Sequence, residues 1–199
     1  VFFTGTACQI AGLKQFLGKD YDNLYTADVL CHGTPSPKLW KMYLEYLKKV
    51  NNSDVKSVNF RDKSIGWKKF SMRVKFDNSE LSEPFYNNKY MNLFLGNICL
   101  RPSCYDCHFK SLVRPSDITI GDCWGIENYK PELDDDKGAS VVLINSEKGL
   151  RFFEKISENL IYLKAETDKA LPPTADSRKS VAVHFNRKKF FVALQHEND

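Results

Sequence analysis

The sequence predicts an α/β (or α+β) fold: a mixed sheet with flanking helices and a small antiparallel hairpin insertion. Three observations carry the prediction. The first fifty residues twice run from an apolar, strand-like stretch through a glycine-containing turn into a helical stripe. From Val55 the apolar spacing changes toward alternation. After the cysteine-rich segment around residue 104, two more strand-like runs precede further helical stripes.

The opening run Val1-Phe2-Phe3 enters Gly5-Thr6 and reads as the tail of a strand, and Ile10, Leu13, Phe16 and Leu17 follow at helical spacing. Leu24 to Cys31 is the second strand-like run, broken at His32-Gly33-Thr34-Pro35-Ser36-Pro37. Ser36 suits a helix N-cap and Pro37 the first helical position. Leu39, Tyr43, Tyr46, Leu47 and Val50 form the stripe of the helix they start. Val58 and Phe60, then Phe70, Met72, Val74 and Phe76, alternate with polar neighbours, and Asp77-Asn78 supplies a turn before a third run at Glu80–Tyr86. Tyr90, Leu93, Phe94 and Ile98 predict a short helix leading into the cysteines. Strands are expected at Asp117–Gly121 and Ala139–Asn145, with a charged loop at Pro131–Lys137 between them. Leu150, Phe153, Ile156 and Leu160 predict another helix, and a final one is expected over Arg178–His196 under basic decoration.

At 199 residues one domain spanning 1–199 is expected. A hydrophobic content of 42% and a mean hydropathy of -0.43 are those of a globular protein. No apolar run approaches the ~18 residues of a spanning helix, so no membrane role is expected. The net charge of +4 comes from interspersed acids and bases, so nucleic acid is not expected as a partner. Six cysteines fall well below the ~8–10% of a disulfide scaffold, and the chain shows no signal-peptide pattern. A reduced, cytoplasmic setting is expected. The chain opens on Val1 without an initiator methionine, which reads as a piece of a longer protein.

The candidate chemistry centres on Cys104-Tyr105-Asp106-Cys107, two thiols spaced to reach one metal centre. Cys8 and Cys31 lie in loops that follow strand-like runs, where open α/β sheets form sites. Cys8, Cys31, Cys104 and Cys107 together make a candidate all-thiolate metal site. On spacing alone an iron–sulfur cluster and a four-thiolate zinc site are both compatible, and Cys8 and Cys31 also suit small buried hydrophobes. Either Cys99 or Cys123 could replace one of these four, with Cys123 reading more often as a packing residue than as a ligand. Gly5-Thr6 and Gly33, each ahead of a helix, offer backbone N–H groups suited to phosphate. His32 stands beside Cys31 as a cofactor contact or a turn residue. Arg61, Lys63 and Trp67 combine cations with an indole that can clamp phosphate and stack on a ring, or form a charged hairpin with a tucked-in tryptophan. Arg101, His108, Lys110 and Arg114 put positive charge around the thiols, which would raise the potential of an anionic cluster. Asp122 and Trp124 close the region as candidate cofactor contacts or strand-end caps.

The runs Gly5-Thr6-Ala7-Cys8-Gln9, Cys31-His32-Gly33-Thr34-Pro35, Phe60-Arg61-Asp62-Lys63 with Gly66-Trp67, Arg101-Pro102-Ser103-Cys104-Tyr105-Asp106-Cys107 and Arg114-Pro115-Ser116-Asp117-Ile118-Thr119-Ile120-Gly121-Asp122-Cys123-Trp124-Gly125 occur in this order. In this they resemble the C-terminal domain of the beta subunits of coenzyme F420-reducing hydrogenases and dehydrogenases. The resemblance implies an iron–sulfur flavoprotein, part of an oxidoreductase, in which a 4Fe-4S cluster hands electrons to FAD and the flavin exchanges a hydride with a deazaflavin or another small-molecule acceptor. It implies cluster ligands at Cys8, Cys31, Cys104 and Cys107, and flavin contacts at Gly5, Thr6, His32, Gly33, Arg61, Lys63, Trp67, Asp122 and Trp124. It also implies a partner, either a ferredoxin-like N-terminal segment or a redox subunit. Ala7 stands where the family often has proline, and Cys123 where it often has an aromatic residue. The alternatives are a non-catalytic zinc-binding or partner-docking domain, and a polysaccharide-synthesis-associated member of the family with an altered substrate.

Overall fold

The computed structural model describes residues 1–173, 175 and 177–196. The chain divides into two compact units, one of residues Val1–His32 and Cys107–Ser180, the other of Gly33–Asp106 and Val181–Asp199. Mixed α/β content is present, as the alternating pattern predicts.

The first unit is built on a four-stranded sheet of β1 (Phe2–Thr6), β2 (Tyr25–Val29), β6 (Ile118–Asp122) and β7 (Ser140–Ile144), in the order β1-β2-β6-β7. The first three strands are parallel, and β7 runs antiparallel to β6. Thr6 is level with Val29, and Val29 with Ile120. The C-terminal ends of β1, β2 and β6 therefore share one end of the sheet. β1 lies at the sheet edge with Phe2 half-exposed, its ring stacked on Phe152 at 5.3 Å.

Helix α1 (Ala7–Leu17) follows β1 directly. Gln9 Oε1 accepts from the Thr6 N–H at 2.8 Å, which occupies a donor at the helix start, and Gly18 ends the helix at φ 68° with its N–H on the Lys14 carbonyl. The opposite end of the sheet is held by Asp117, one residue before β6. Its carboxylate accepts from the Thr26 N–H and hydroxyl, both at 2.8 Å, and from Ser146 Oγ at 2.7 Å. Ser146 in turn caps α6 (Glu147–Ser157) by accepting from the Gly149 N–H at 3.0 Å. Helix and strand approach so closely there that a Cβ on Gly149 would sit 2.2 Å from the Asp117 carbonyl oxygen. We expect Gly149→Ala to destabilise the protein by about 2–3 kcal/mol despite alanine's better helix propensity, because the obstacle is backbone and cannot swing aside. Chemical denaturation checks this, and a variant as stable as the parent contradicts it.

In the second unit β3 (Val55–Asp62), β4 (Ser71–Phe76) and β5 (Glu80–Pro84) form the antiparallel sheet that alternation predicts. Met72, Val74 and Phe76 share one face of β4. They are buried with Phe70, with Leu47 of α2 (Pro37–Asn51) and with Met91 of α3 (Lys89–Leu95). The start of α2 after Ser36, with Pro37 in its first turn, follows the sequence expectation. Asn88 caps α3 by accepting from the Met91 N–H at 3.0 Å while its amide donates to Tyr43 and Glu83.

Several short elements have no periodic signal: α4 (Pro102–Tyr105), α5 (Ile126–Tyr129), a 3-10 turn at Pro131–Leu133 and α7 (Thr167–Ala170). The last helix, α8, covers Arg187–His196 rather than the expected Arg178–His196. Ser180 is engaged outside any helix, its Oγ accepting from the Cys107 N–H at 2.8 Å. The Asn186 N–H donates to His184 Nδ1 in a local turn that delays the helix start. Phe190 and Leu194 of α8 pack on Leu39, Tyr90 and Cys99.

Candidate functional site

The end of the first unit where β1, β2 and β6 finish collects seven of the residues singled out from sequence. Gly5 and Thr6 close β1, Cys8 lies in the first turn of α1, Cys31 and His32 follow β2, and Asp122 and Trp124 stand at and just beyond the end of β6. In open α/β sheets, sites form in the crevice outside the carboxyl ends of the parallel strands.

Register also places an apolar row across the sheet at this end. Val29, Ile120 and Val142 are neighbours on one face, exposed by 49%, 44% and 37%. Gly121 has no room for a side chain, since a Cβ would lie 2.5–2.7 Å from three atoms of Leu30. The glycine therefore brings β6 against the end of β2.

None of the six cysteines is in a disulfide, and they fall into two groups. Cys8 is exposed, and Cys31, Cys104 and Cys107 are partly exposed. The Cys8 thiol lies 3.1 Å from the Thr6 hydroxyl. Cys104 Sγ accepts from the Thr34 N–H at 3.4 Å, in the turn started by Pro102. Cys99 and Cys123 are buried. Burial pushes the Cys99 thiol up to about 11 and raises that of Cys123, which packs with Ile126, Val141 and Leu171.

Cys8, Cys31 and Cys107 belong to the first unit and Cys104 to the second. Four accessible thiols are the donor chemistry an iron–sulfur cluster requires. Among the described residues, however, no group of three or more His, Cys, Asp or Glu is arranged to hold a metal ion. The thiols fit a cluster in the chemistry of their donors.

The remaining predicted contacts, Gly33, Arg61, Lys63 and Trp67, lie in the second unit. Trp67 is 1% exposed and part of the interior, and the Arg61 guanidinium sits 4.2 Å from the centroid of the Phe70 ring. Gly33 faces Leu100, whose Cδ1 would lie 2.8 Å from an added Cβ.

Two cations expected to decorate the thiols point inward instead. Lys110 is buried and donates to the His32 carbonyl at 2.8 Å, and Arg114 pairs with Asp28 at 2.9 Å. Asp28 is the residue that sequence reading passed over. Its only signal is a carboxylate inside an otherwise strand-like run, which calls for a buried partner.

The first unit thus defines an α/β domain with Cys8 in the first turn of α1 and Cys31 just past β2, at the ends of two parallel strands. The chain belongs to the family described as the C terminus of the beta subunit of coenzyme F420 hydrogenase/dehydrogenase, which matches residues 1–169. No curated protein matches it. Membership makes the chain a redox module of the hydrogenase/dehydrogenase beta-subunit kind, acting as part of a larger redox enzyme. Among the described residues no helix is long and apolar enough to cross a membrane.

Proposed function

We propose that the chain is the flavin and iron–sulfur electron-transfer part of such an enzyme in a reduced, cytoplasmic setting. In this reading Cys8, Cys31, Cys104 and Cys107 are ligands of a 4Fe-4S cluster. The observation that carries the reading is the sorting of the six cysteines: the four assigned as ligands reach solvent, and the two left over are buried. When bound, cluster and FAD supply the one-electron and hydride chemistry, and the protein supplies binding and orientation.

For FAD, the apolar row of Val29, Ile120 and Val142 suits one face of a planar ring system. The Gly5-Thr6 turn at the start of α1 suits phosphate, and His32, Asp122 and Trp124 border the same sheet end. Gly33, Arg61 and Lys63 are proposed as further flavin contacts, with Trp67 as the buried support of the β3–β4 hairpin. The acceptor is a small-molecule hydride acceptor such as a deazaflavin, and the electron partner a ferredoxin-like segment or subunit.

Anaerobic reconstitution of the full-length protein with iron and sulfide is expected to give a broad visible absorbance and a reducible cluster with about four irons per site. Cys104→Ser abolishes that absorbance, whereas Cys123→Ser leaves it. Stoichiometric zinc without sulfide uptake, or equal behaviour of the two variants, defeats the assignment.

A further inference from the structure

One loop of the first unit sends two buried cations back to the strand end that carries Cys31. The Arg114 guanidinium donates to the Asp28 carboxylate at 2.9 Å, to the Val29 carbonyl at 3.0 Å and to the carbonyl of Phe109 in its own loop at 2.8 Å. Lys110 Nζ donates to the His32 carbonyl at 2.8 Å, while the Lys110 N–H reaches the Cys107 carbonyl at 3.3 Å. Cys107 is tied from its other side by Ser180, whose Oγ accepts from the Cys107 N–H.

The ion pair is sealed from solvent, its side chains 2% and 0% exposed. Yet Asp28 Oδ2 and Arg114 Nε have no hydrogen-bond partner among the described residues. A buried pair with unsatisfied valences stabilises a fold no better than well-packed apolar side chains of similar volume. What it supplies is direction. A planar guanidinium engaging three acceptors fixes both the distance and the angle between the chain segments that carry them.

We infer that Arg114, assisted by Lys110, is a positioning residue that holds the Cys107 loop in register with the β2 end bearing Cys31. The inference rests on the reading of these two thiols as ligands. It adds that their separation is set by a salt bridge on the buried side of the loop before any cluster binds. Arg114→Lys keeps the charge but cannot span three acceptors at once.

The test is the distance between spin labels on Cys31 and Cys107 in otherwise intact protein carrying Cys8→Ser and Cys104→Ser. The parent is expected to give one narrow distance peak, and the neutral pair Asp28→Asn with Arg114→Gln to lose it while still melting cooperatively. A purely structural salt bridge would lower the melting temperature and leave the peak narrow in the folded state. A narrow peak retained in the folded variant therefore overturns the inference. If the neutral pair does not fold, Arg114→Lys decides the matter by the same criterion. Iron uptake by the protein with all its cysteines reads the ligand assignment separately. Absence of iron there removes the assignment, while loss of the narrow peak in the variants still establishes the positioning.

Discussion

Arg114→Met is expected to cost about 3–5 kcal/mol of stability, because it leaves the fully buried Asp28 carboxyl without its partner. The Val29 and Phe109 carbonyls lose their guanidinium donor in the same step. The double variant Asp28→Leu with Arg114→Met removes both charges and should recover most of the loss, since apolar replacement of a buried pair is often neutral or stabilising. Urea unfolding of the two variants gives the comparison. A single variant within about 1 kcal/mol of the parent would mean that the carboxylate finds water or another partner.

Asp117→Ala carries the second large effect. The carboxylate takes hydrogen bonds from the Thr26 N–H, the Thr26 hydroxyl and Ser146, and Lys148 lies 3.8 Å away. Hydrogen bonds to a charged group contribute about 1.5–3 kcal/mol each, and their donors here would be left without that acceptor. A loss of about 3 kcal/mol or more follows. Burial opposes the charge on Asp117, but the bonds from Ser146 and Thr26 and the nearby Lys148 ammonium outweigh it and hold the carboxyl below its ordinary value.

A depressed folded value means that the stabilisation is fully present above the unfolded value near 3.9 and is lost as the pH falls through the folded one. Asp117→Asn should therefore lower stability at neutral pH and flatten its decline below about pH 4. Thermal melts from pH 2 to 7 measure both, and an unchanged acid limb in the variant would exclude Asp117 as a source of acid lability.

The parts of this protein that local chemistry governs are legible in its sequence. Ser36 and Pro37 start α2 because an extended residue at the N-cap and the fixed φ of proline act within one turn of the residues concerned, with no capping bond from the Ser36 side chain. Alternation around Met72, Val74 and Phe76 yields the antiparallel sheet because its period is a property of the strand itself. The ordered motifs from Gly5 to Gly125 also carry the family, and with it the redox class.

The tertiary structure alone decided what depends on residues far apart in the chain. Whether a thiol is reactive or inert is a matter of what packs over it, so Cys99 and Cys123 part from the other four only once Tyr90 and Leu39, or Ile126 and Val141, have closed around them. Trp67 and Arg61 belong to a motif that reads as a ligand clamp, yet the indole fills the interior and the guanidinium lies over Phe70. Arg114 and Asp28 are 86 residues apart, and nothing in either neighbourhood encodes the other. Their pairing exists because β2 and β6 lie side by side and the loop entering β6 runs along β2 as far as Asp28 and Val29.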